Sequence, residues 1–385
     1  MSLDASFNEG RSGKSPAAPT IRETWSEWID KRSGTVFIAP AVILILVFAI
    51  FPTIASLVIA VSRVKLTNDG FSFRFVWFKN FSKQFLGNDQ IHLLGRFNEM
   101  SLVGVIISLA VFLWATWWLI KSAQNGASAI GLLGRVITAF VIVGITLMVS
   151  GTALSGNPWG TLGTTLFYVF VGCGLQFAIG LGLALLCSQQ IRGKNFFRVV
   201  FFIPLMITPL GVGYAFRMIA DVTKGPFAPV WAWFGLGAFA WSADPWAARV
   251  FIIIGDSWQW IPFIFIVMLA ALENVPRDHV EAAQVDGASS WQIFHDITWP
   301  QIIPVAATVL LIRAIEAFKI VDLPNIMTSG GPGIATESMT LHAVFAWRAN
   351  DFGQSAAIAY LLLFVTVVIC SSFFNLVVLR HLKKA

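Results

Sequence analysis

The chain has 385 residues, 57% of them hydrophobic and 12% charged, and it carries a formal net charge of +6. A soluble globular domain has about 25% charged residues, so this composition excludes an ordinary soluble protein and indicates one that crosses a membrane several times. In a membrane protein a basic excess first reports orientation, so it gives no indication of nucleic-acid binding. The cysteines lie in apolar runs without metal-ligand spacing, and we interpret them as small core residues: Cys173, Cys187 and Cys370.

The N-terminal segment 1–35 is polar and lacks the features of a secretory signal. We expect disorder over residues 1–20 and a short interfacial helix over 24–32, with Trp25 and Trp28 on one face. The segment is therefore predicted to be a partly disordered cytoplasmic tail ahead of the first span.

Eight apolar runs are long enough to cross a bilayer as helices, a crossing that takes about 20 residues. An all-α polytopic membrane protein is thus predicted. With both termini in the cytoplasm, more than half of the basic residues fall on cytoplasmic flanks, as the positive-inside rule requires, although the basic segment 63–97 then lies outside. The predicted spans are 36–62, 100–120, 136–154, 162–187, 197–220, 250–272, 303–322 and 356–379.

Small residues recur every four positions in the run 162–187. Such spacing lets two membrane helices approach closely, so this helix is predicted to have close helical neighbours, either in the same chain or in a partner. The two sets of positions are Gly174, Ala178 and Gly182, and Gly172, Gly180 and Ala184.

A polar insert with helix-capping signals separates the runs 250–272 and 303–322. Asp278 followed by Glu281 predicts an N-cap with its reciprocal acid, and Gly287 can take the left-handed conformation that ends a helix. Ser289 with Gln292 predicts a second cap and a second short helix. The insert is therefore predicted to be a helix-turn-helix on the cytoplasmic membrane face.

Two prolines, Pro300 and Pro304, are predicted to end the second short helix and redirect the chain into the next span. Small side chains leave the first short helix smooth, which suits a fit into a cleft on another protein. The alternative is an interfacial connector in which Glu281 only caps a helix.

The stretch EAAQVDGASSWQIFHDITWPQIIP (281–304) closely resembles the EAA loop of binding-protein-dependent ABC importer permeases. The Glu-Ala-Ala triplet, the glycine six residues after the glutamate, and the isoleucine and proline at the far end follow that pattern. Trp299 departs from it, because the pattern has leucine there. The preceding NVPRDHVEAA is similar to the carbohydrate branch of the family, of the maltose, glycerol-3-phosphate and multiple-sugar type.

The resemblance extends over most of the chain. FIAPAVILILVFAIFPTIASLVIAVS is similar to the family's first helix, FFRVVFFIPLMITPLGVGYAFRMI to its third core helix, and NDFGQSAAIAYLLL to the start of its last helix. Residues 98–155 do not fit and are predicted to be an inserted transmembrane hairpin. The expected plan is a first helix with its outer loop (36–97), the hairpin (98–155), and the rest of a six-helix MetI-like permease core (156–385) with the EAA loop at 276–304.

The resemblance implies that the EAA helix seats in a groove of a cytoplasmic ATPase and couples ATP-driven closure to the permease. The chain has no G-x-x-x-x-G-K-[ST] sequence, so ATP and Mg²⁺ are expected on separate ATPase subunits, and the chain itself is expected to bind no cofactor or metal and to be no enzyme. The residues expected at the ATPase contact are Glu281, Ala282, Ala283, Asp286, Gly287 and Ala288.

The expected partners are a second homologous permease forming a heterodimer, two ATPases, a periplasmic solute-binding protein and membrane lipid, with no nucleic acid. The expected location is the bacterial inner membrane. The transported solute is expected to be sugar-like, and a sugar, a polyol, a glycoside and a phosphorylated glycerol derivative all stay open.

Polar side chains inside two predicted spans are candidates for the substrate path, because polar groups in a bilayer are costly and usually functional. They combine an aromatic face with hydrogen-bonding groups, as a sugar site does. The alternative for the charged ones is an internal ladder of Arg313, Glu316 and Lys319 along one helix face. The candidates are Asp256, Gln259, Trp260 and Glu316.

Two other functional classes compete with the importer. An ion-coupled secondary transporter of small polar solutes would need no ATPase, but such carriers usually show inverted repeats with paired broken helices, and the sequence has no second copy of the EAA-like region. A membrane-embedded enzyme is the third class, but the histidines are scattered across loops and ends: His92, His279, His295, His342 and His381.

Overall fold

The computed structural model describes residues 33–67, 70–87, 89–97, 99–124, 126, 128–189 and 194–378. The disorder predicted for 1–20, the interfacial helix predicted for 24–32 and the C-terminal residues 379–385 lie outside these ranges. The chain divides into two compact units, Met1–Ala55 and Ser56–Ala385, and each is described by itself.

The described part of the first unit is the beginning of the first predicted span. Helix α1 (Ser33–Ile45) continues through a π-helical turn (Leu46–Ile50) into α2 (Phe51–Ala60), which enters the second unit. The apolar helical stretch Phe37–Ala60 is long enough to cross a membrane. Its side chains are almost all exposed, as expected of a helix that is apolar on every side and meets lipid.

The second unit begins with small elements that the sequence did not predict. Strands β1 (Ser62–Thr67) and β2 (Gly70–Phe75) pair antiparallel, with Ser62 opposite Phe75. Short helices α3 (Lys79–Leu86) and α4 (Gln90–Leu94) follow. Buried Asn80 on α3 donates hydrogen bonds to the carbonyls of Ala60 (2.8 Å) and Ser62 (2.9 Å), which ties α3 to the start of the strand pair.

Helices α5 (Leu102–Gln124) and α6 (Ala129–Gly151) form the predicted transmembrane hairpin. They pack against each other, and the amide of Ser101 donates to Ser155 Oγ (2.9 Å) at the open end of the pair. Two helices are therefore present where they were predicted, and their origin as an insertion stays a prediction.

The next span, Thr161–Ser188, consists of α7 (Thr161–Phe167), a π-helical turn (Tyr168–Gly172) and α8 (Cys173–Ser188). Its principal neighbour is α12 (Pro245–Glu273). A Cβ placed on Gly180 would lie 2.8 Å from Cγ2 of Ile264, so the glycine permits this close approach. The set Gly172, Gly180 and Ala184 is buried, whereas Gly174 and Ala178 are exposed and Gly182 is half-buried.

The predicted continuous span 197–220 is wrong, because the helix breaks in its middle. Helix α9 (Lys194–Phe202) and a 3₁₀ turn (Ile203–Met206) precede α10 (Pro209–Ala220), and the two parts are bent by 101°. Thr208 caps α10 through its side chain, which accepts from the amide of Gly211 (3.3 Å). Pro209 has no amide hydrogen to continue the earlier helix, and it occupies the first helical position, where none is needed.

After the short helix α11 (Ala228–Trp233) and the long α12, the polar insert forms α13 (Arg277–Val285) and α14 (Ser290–Gln292). A π-helical turn (Ile293–Thr298) then leads directly into α15 (Trp299–Phe318), so that Ser290–Phe318 is one continuous helix of 29 residues. The predicted termination by Pro300 and Pro304 is therefore wrong. The wider π-helical turn accompanies Pro300, and Pro304 is accommodated inside α15.

Three helices complete the fold: α16 (Asp322–Thr328), α17 (Met339–Arg348) and α18 (Phe352–Phe373). Among the described residues, seven helices are long and apolar enough to cross a membrane, or eight if the bent pair is one span, as predicted. We call the end of the bundle that carries 274–298 the loop face, and the other end the opposite face. The core between α8, α12 and α15 contains Ala184, Ile264, Phe265, Met268, Leu269, Ile302, Ala306 and Val309.

Candidate functional site

A buried ionic cluster joins the three central helices α8, α12 and α15. Arg313 on α15 is 1% exposed and donates from Nε to Oε1 of Gln176 on α8 (2.6 Å). Its guanidinium also forms an ion pair with the carboxylate of Asp256 on α12. Gln176 in turn donates from Nε2 to the same carboxylate (2.7 Å) and to Oγ of Ser257 (3.3 Å). The three helices are thus linked by charged and amide groups within the apolar interior.

In this cluster the two buried charged side chains, Arg313 and Asp256, are paired with each other. An unpaired charge within a bilayer is costly, and here Arg313 and Asp256 each have the other as a partner. The indole ring of Trp260 adds a cation–π contact, with its centroid 4.8 Å from Cζ of Arg313. Asp256 and Trp260, two of the predicted substrate-path residues, therefore meet on one arginine.

The alternative prediction, a ladder of ion pairs from Arg313 through Glu316 to Lys319, is wrong for Arg313. Lys319 does pair with Glu316 (2.6 Å), and this pair is partly exposed. Arg313 instead contacts the neighbouring helices, where the carboxylate of Asp256 is buried and Glu316 is not. Glu316 is consequently separate from the other predicted substrate-path residues.

Gln259 lies where the broken span comes close to α12. Its Nε2 donates to the carbonyl of Ile207 (2.8 Å), a group that the break between α9 and α10 removes from regular helical bonding. Its Oε1 is buried and has no hydrogen-bond partner among the described residues. Irregular backbone at membrane depth occurs where protein buries it or where it lines a cavity, so Gln259 both supports the break and presents an unused acceptor.

The polar insert is an exposed helix-turn-helix on the loop face. Gly287 has φ +80°, and nothing lies within 4 Å of a Cβ built on it, so backbone conformation alone favours glycine at the turn. The predicted capping box at Ser289 is confirmed, since its side chain and that of Gln292 each accept the other's backbone amide. The predicted N-cap at Asp278 is wrong, because the N-cap is Pro276, two residues earlier, and Asp278 lies in the first turn of α13.

The predicted ATPase-contact residues form one surface around this turn. Four of them are exposed and two are half-buried, and two large apolar side chains are exposed beside them, Val285 (87%) and Trp291 (70%). Exposed apolar side chains next to polar ones are typical of a surface that meets another protein. The exposed four are Glu281, Ala282, Asp286 and Gly287, and the half-buried two are Ala283 and Ala288.

Cavities flank both sides of α13. A cavity of about 960 Å³ is lined by Glu281, Gln284 and Glu273 together with other residues, and one of about 480 Å³ by Ala282, Ala283 and others. Trp299, which departs from the family pattern, is half-buried and packs against the core between α8, α12 and α15. This contact holds the base of the insert to the bundle.

On the opposite face the structure brings together two histidines that are distant in sequence. Oε1 of Glu337 accepts hydrogen bonds from Nε2 of His92 (3.0 Å) and from Nδ1 of His342 (2.9 Å). These two donors lower the pKa of the Glu337 carboxyl below its ordinary value, against the opposing effect of burial. The three side chains have the donor set of a transition-metal site. No local signal marks them, because only the tertiary fold makes them neighbours.

Comparison with known proteins agrees with this architecture. Residues 176–384 match the family model described as "Binding-protein-dependent transport system inner membrane component". The trehalose/maltose transport system permease protein MalF of Thermococcus litoralis is 31% identical over 54% of this chain and 71% of its own length. The probable starch degradation products transport system permease protein AmyD of Thermoanaerobacterium thermosulfurigenes is 30% identical over 49% of this chain and 65% of its own.

Solved structures show the same fold. A chain of a bacterial alginate ABC transporter, crystallised with an alginate pentasaccharide-bound periplasmic protein, superposes with a TM-score of 0.57 at 17% identity, over 92% of this chain and 96% of that one. The family match spans more than half of this chain and contains both the ionic cluster and the exposed insert. The chain is a multi-pass membrane protein that belongs to the family of inner-membrane components of binding-protein-dependent transport systems.

Proposed function

We propose that the chain is the permease subunit of an ATP-driven ABC importer for a sugar or sugar-like solute, and that it forms half of the translocation path. The solute class is supported by the relatives, whose names refer to trehalose and maltose or to starch degradation products, and by the structural neighbour, which belongs to an alginate transporter. The family assignment favours this mechanism over an ion-coupled secondary transporter.

The proposed partners follow from the two faces of the bundle. One of two ATPases docks on the loop face, a second permease completes the path and meets the other ATPase, and a periplasmic binding protein docks on the opposite face. Basic side chains close to the loop face support placing it in the cytoplasm, as the positive-inside rule expects. They are Lys121, Arg135, Arg198 and Arg277. The chain then lies in a bacterial inner membrane with both termini inside, and the partner ATPases, not this chain, bind ATP and Mg²⁺.

The proposal that the insert couples the ATPase to the permease is supported mainly by the exposed helix-turn-helix. A capped, small-residue helix beside two cavities presents a defined shape to a partner, whereas a plain connector needs neither its caps nor its exposed apolar side chains. Glu281 is exposed on α13, a position from which it can contact a basic group of the ATPase. Gly287 permits the sharp turn and leaves its outer side open for close seating.

The substrate path is proposed to run along the broken span. Gln259 offers an unused buried acceptor, and Trp260 an aromatic face. Asp256 is already paired with Arg313 in this conformation, so its part in solute binding requires that pair to open. Glu316 is half-buried, and its one ion pair within the described ranges is with Lys319, which leaves it available nearer the opposite face.

The coupling proposal is tested in the reconstituted complex with its ATPase, partner permease and binding protein. Gly287→Asp and Glu281→Lys should abolish substrate-stimulated ATP hydrolysis while membrane insertion is retained. Aspartate tolerates the left-handed conformation better than most residues, so Gly287→Asp adds bulk and charge with little effect on the turn. Gly235 is the matched control, since it has φ +74° and equally open surroundings away from the insert.

Gly235→Asp should keep the stimulated hydrolysis of the wild type. Wild-type stimulation in a well-inserted Gly287→Asp complex would contradict the coupling proposal. For the path, Gln259→Ala and Glu316→Ala should each weaken transport without loss of assembly. Unchanged transport affinity in both variants would remove these residues from the site.

A further inference from the structure

A cavity of about 930 Å³ lies between the transmembrane hairpin and the last helix, close to the loop face. Its walls come from α5, α6 and α18, and most of its lining is apolar. Two basic side chains reach it, Lys121 near the end of α5 and Arg135 on α6, together with hydroxyl groups that include Ser122 and Ser371. Neither the ionic cluster nor the exposed insert contributes to this cavity.

The positive charge of this cavity has no acidic counterpart in the described ranges of the chain. No aspartate or glutamate lines it, and among the described residues neither Lys121 nor Arg135 forms an ion pair. Lys121 is instead held over the ring of Trp117, with Nζ 4.8 Å from its centroid. Two cationic groups without an acidic partner in the described part of the chain, near the ends of membrane helices, favour an anionic occupant.

Ser122 provides an independent indication of an occupant. The residue is 5% exposed and lines the cavity, and its Oγ has no hydrogen-bond partner among the residues that the structure describes. In the same hairpin the hydroxyls of Thr116 and Thr138 bond back to the carbonyls of Phe112 (2.8 Å) and Gly134 (2.9 Å). The hydroxyls of Ser108 and Ser150 are unpaired like that of Ser122, but of these three serines only Ser122 lines the cavity. A buried donor is therefore available beside the two cations.

We propose that this cavity binds an anionic glycerophospholipid. The phosphate lies between Lys121 and Arg135 and accepts from the hydroxyl of Ser122, while an acyl chain follows the apolar wall beside Trp117. Basic pockets between membrane helices bind anionic headgroups in this way. A lipid is favoured over a soluble anion because the cavity opens between helices whose outer side chains are apolar, including Trp114 and Ile120 on α5.

The ligand gives the hairpin a role of its own. With the lipid in place, α5 and α6 are joined to α18 through a shared headgroup as well as through direct packing of α6 on α18. The site is independent of the proposed transport function, because none of its residues lies in the exposed insert or in the proposed substrate path.

The test compares lipid retention by the purified full chain, measured by native mass spectrometry after exchange into detergent with phosphatidylglycerol or phosphatidylcholine. The wild type should retain phosphatidylglycerol preferentially. The double variant Lys121→Gln/Arg135→Gln should bind it about thirty-fold more weakly, the loss expected from removing two charges near a membrane surface. Ser122→Ala should give a smaller loss. Excess inorganic phosphate should not displace the lipid.

The matched control removes two exposed basic charges on the opposite face, Lys224→Gln/Arg348→Gln, and should bind lipid as the wild type does. Unfolding temperatures confirm that each variant is folded before its binding is compared. Equal retention by Lys121→Gln/Arg135→Gln and the wild type, or no preference for phosphatidylglycerol, would overturn the proposal. Displacement by inorganic phosphate would instead identify a site for soluble anions and would also overturn it.

Discussion

The buried ion pair between Arg313 and Asp256 allows a quantitative prediction. Arg313→Gln leaves the Asp256 carboxylate, 5% exposed, without its cation. Breaking a buried pair by removing one partner typically lowers the free energy of unfolding by about 3–5 kcal/mol, because an uncompensated charge remains. In this protein Gln176 can still donate to Asp256 (2.7 Å), so we expect a loss near the lower end, about 3 kcal/mol.

The double variant Asp256→Asn/Arg313→Gln distinguishes the effect of an unpaired buried charge from the effect of a lost contact. It removes both charges and leaves amide groups that can bond to each other and to Gln176, so its loss should be smaller than that of Arg313→Gln alone. The exposed pair Lys319–Glu316 at the end of the same helix is the control, since its side chains are 59% and 37% exposed. Lys319→Gln should change stability by less than about 1 kcal/mol.

The measurement is the free energy of unfolding in mixed micelles, obtained by titration with a denaturing detergent, for the wild type and each variant. The single variants Arg313→Gln and Asp256→Asn and their double variant form a cycle whose coupling energy isolates the pair. A loss below about 1 kcal/mol for Arg313→Gln, as for an exposed pair, would refute the reasoning. A double variant as unstable as the sum of its singles would refute it as well.

Two further predictions concern packing and pH. Gly180→Leu should disrupt the packing of α8 on α12, because even a Cβ at this position lies 2.8 Å from Cγ2 of Ile264. Gly182→Leu should be tolerated, because nothing lies within 4 Å of a Cβ built there. The unfolding temperatures of the two variants test this difference. The lowered pKa of Glu337 stabilises the fold fully above its ordinary value of 4.5, and this contribution is lost as the pH falls through the lower folded-state pKa. In Glu337→Gln the free energy of unfolding should therefore fall less as the pH is lowered below 4.5. The same pH dependence of stability in the variant and the wild type would contradict this role of Glu337.

The exposed insert was largely predictable, because its signals are local. The capping box at Ser289 and the turn at Gly287 depend on residues within a few positions of each other. The break at Thr208 was also present as a local signal, a capping threonine followed by proline. The apolar run across it concealed the signal, since hydropathy does not distinguish a straight span from a bent one.

The ionic cluster was not predictable in its pairing. Arg313 meets partners that are 57 and 137 positions away in sequence, and the choice between them and nearby Glu316 depends on which carboxylate the fold buries. The same holds for His92 and His342, which become neighbours only through the packing of the opposite face. Long polar side chains reach across helices, so helical spacing alone cannot assign their contacts.

The continuity of Ser290–Phe318 has a mechanical consequence. A helix of that length acts as a lever, and about 35 Å of axial rise separates Ser290 beside the turn from Arg313 in the interior. A tilt of about 5° at the turn would displace the arginine by about 3 Å. That is about the length of one hydrogen bond, so a small rotation of the exposed insert is enough to break the contacts of Arg313.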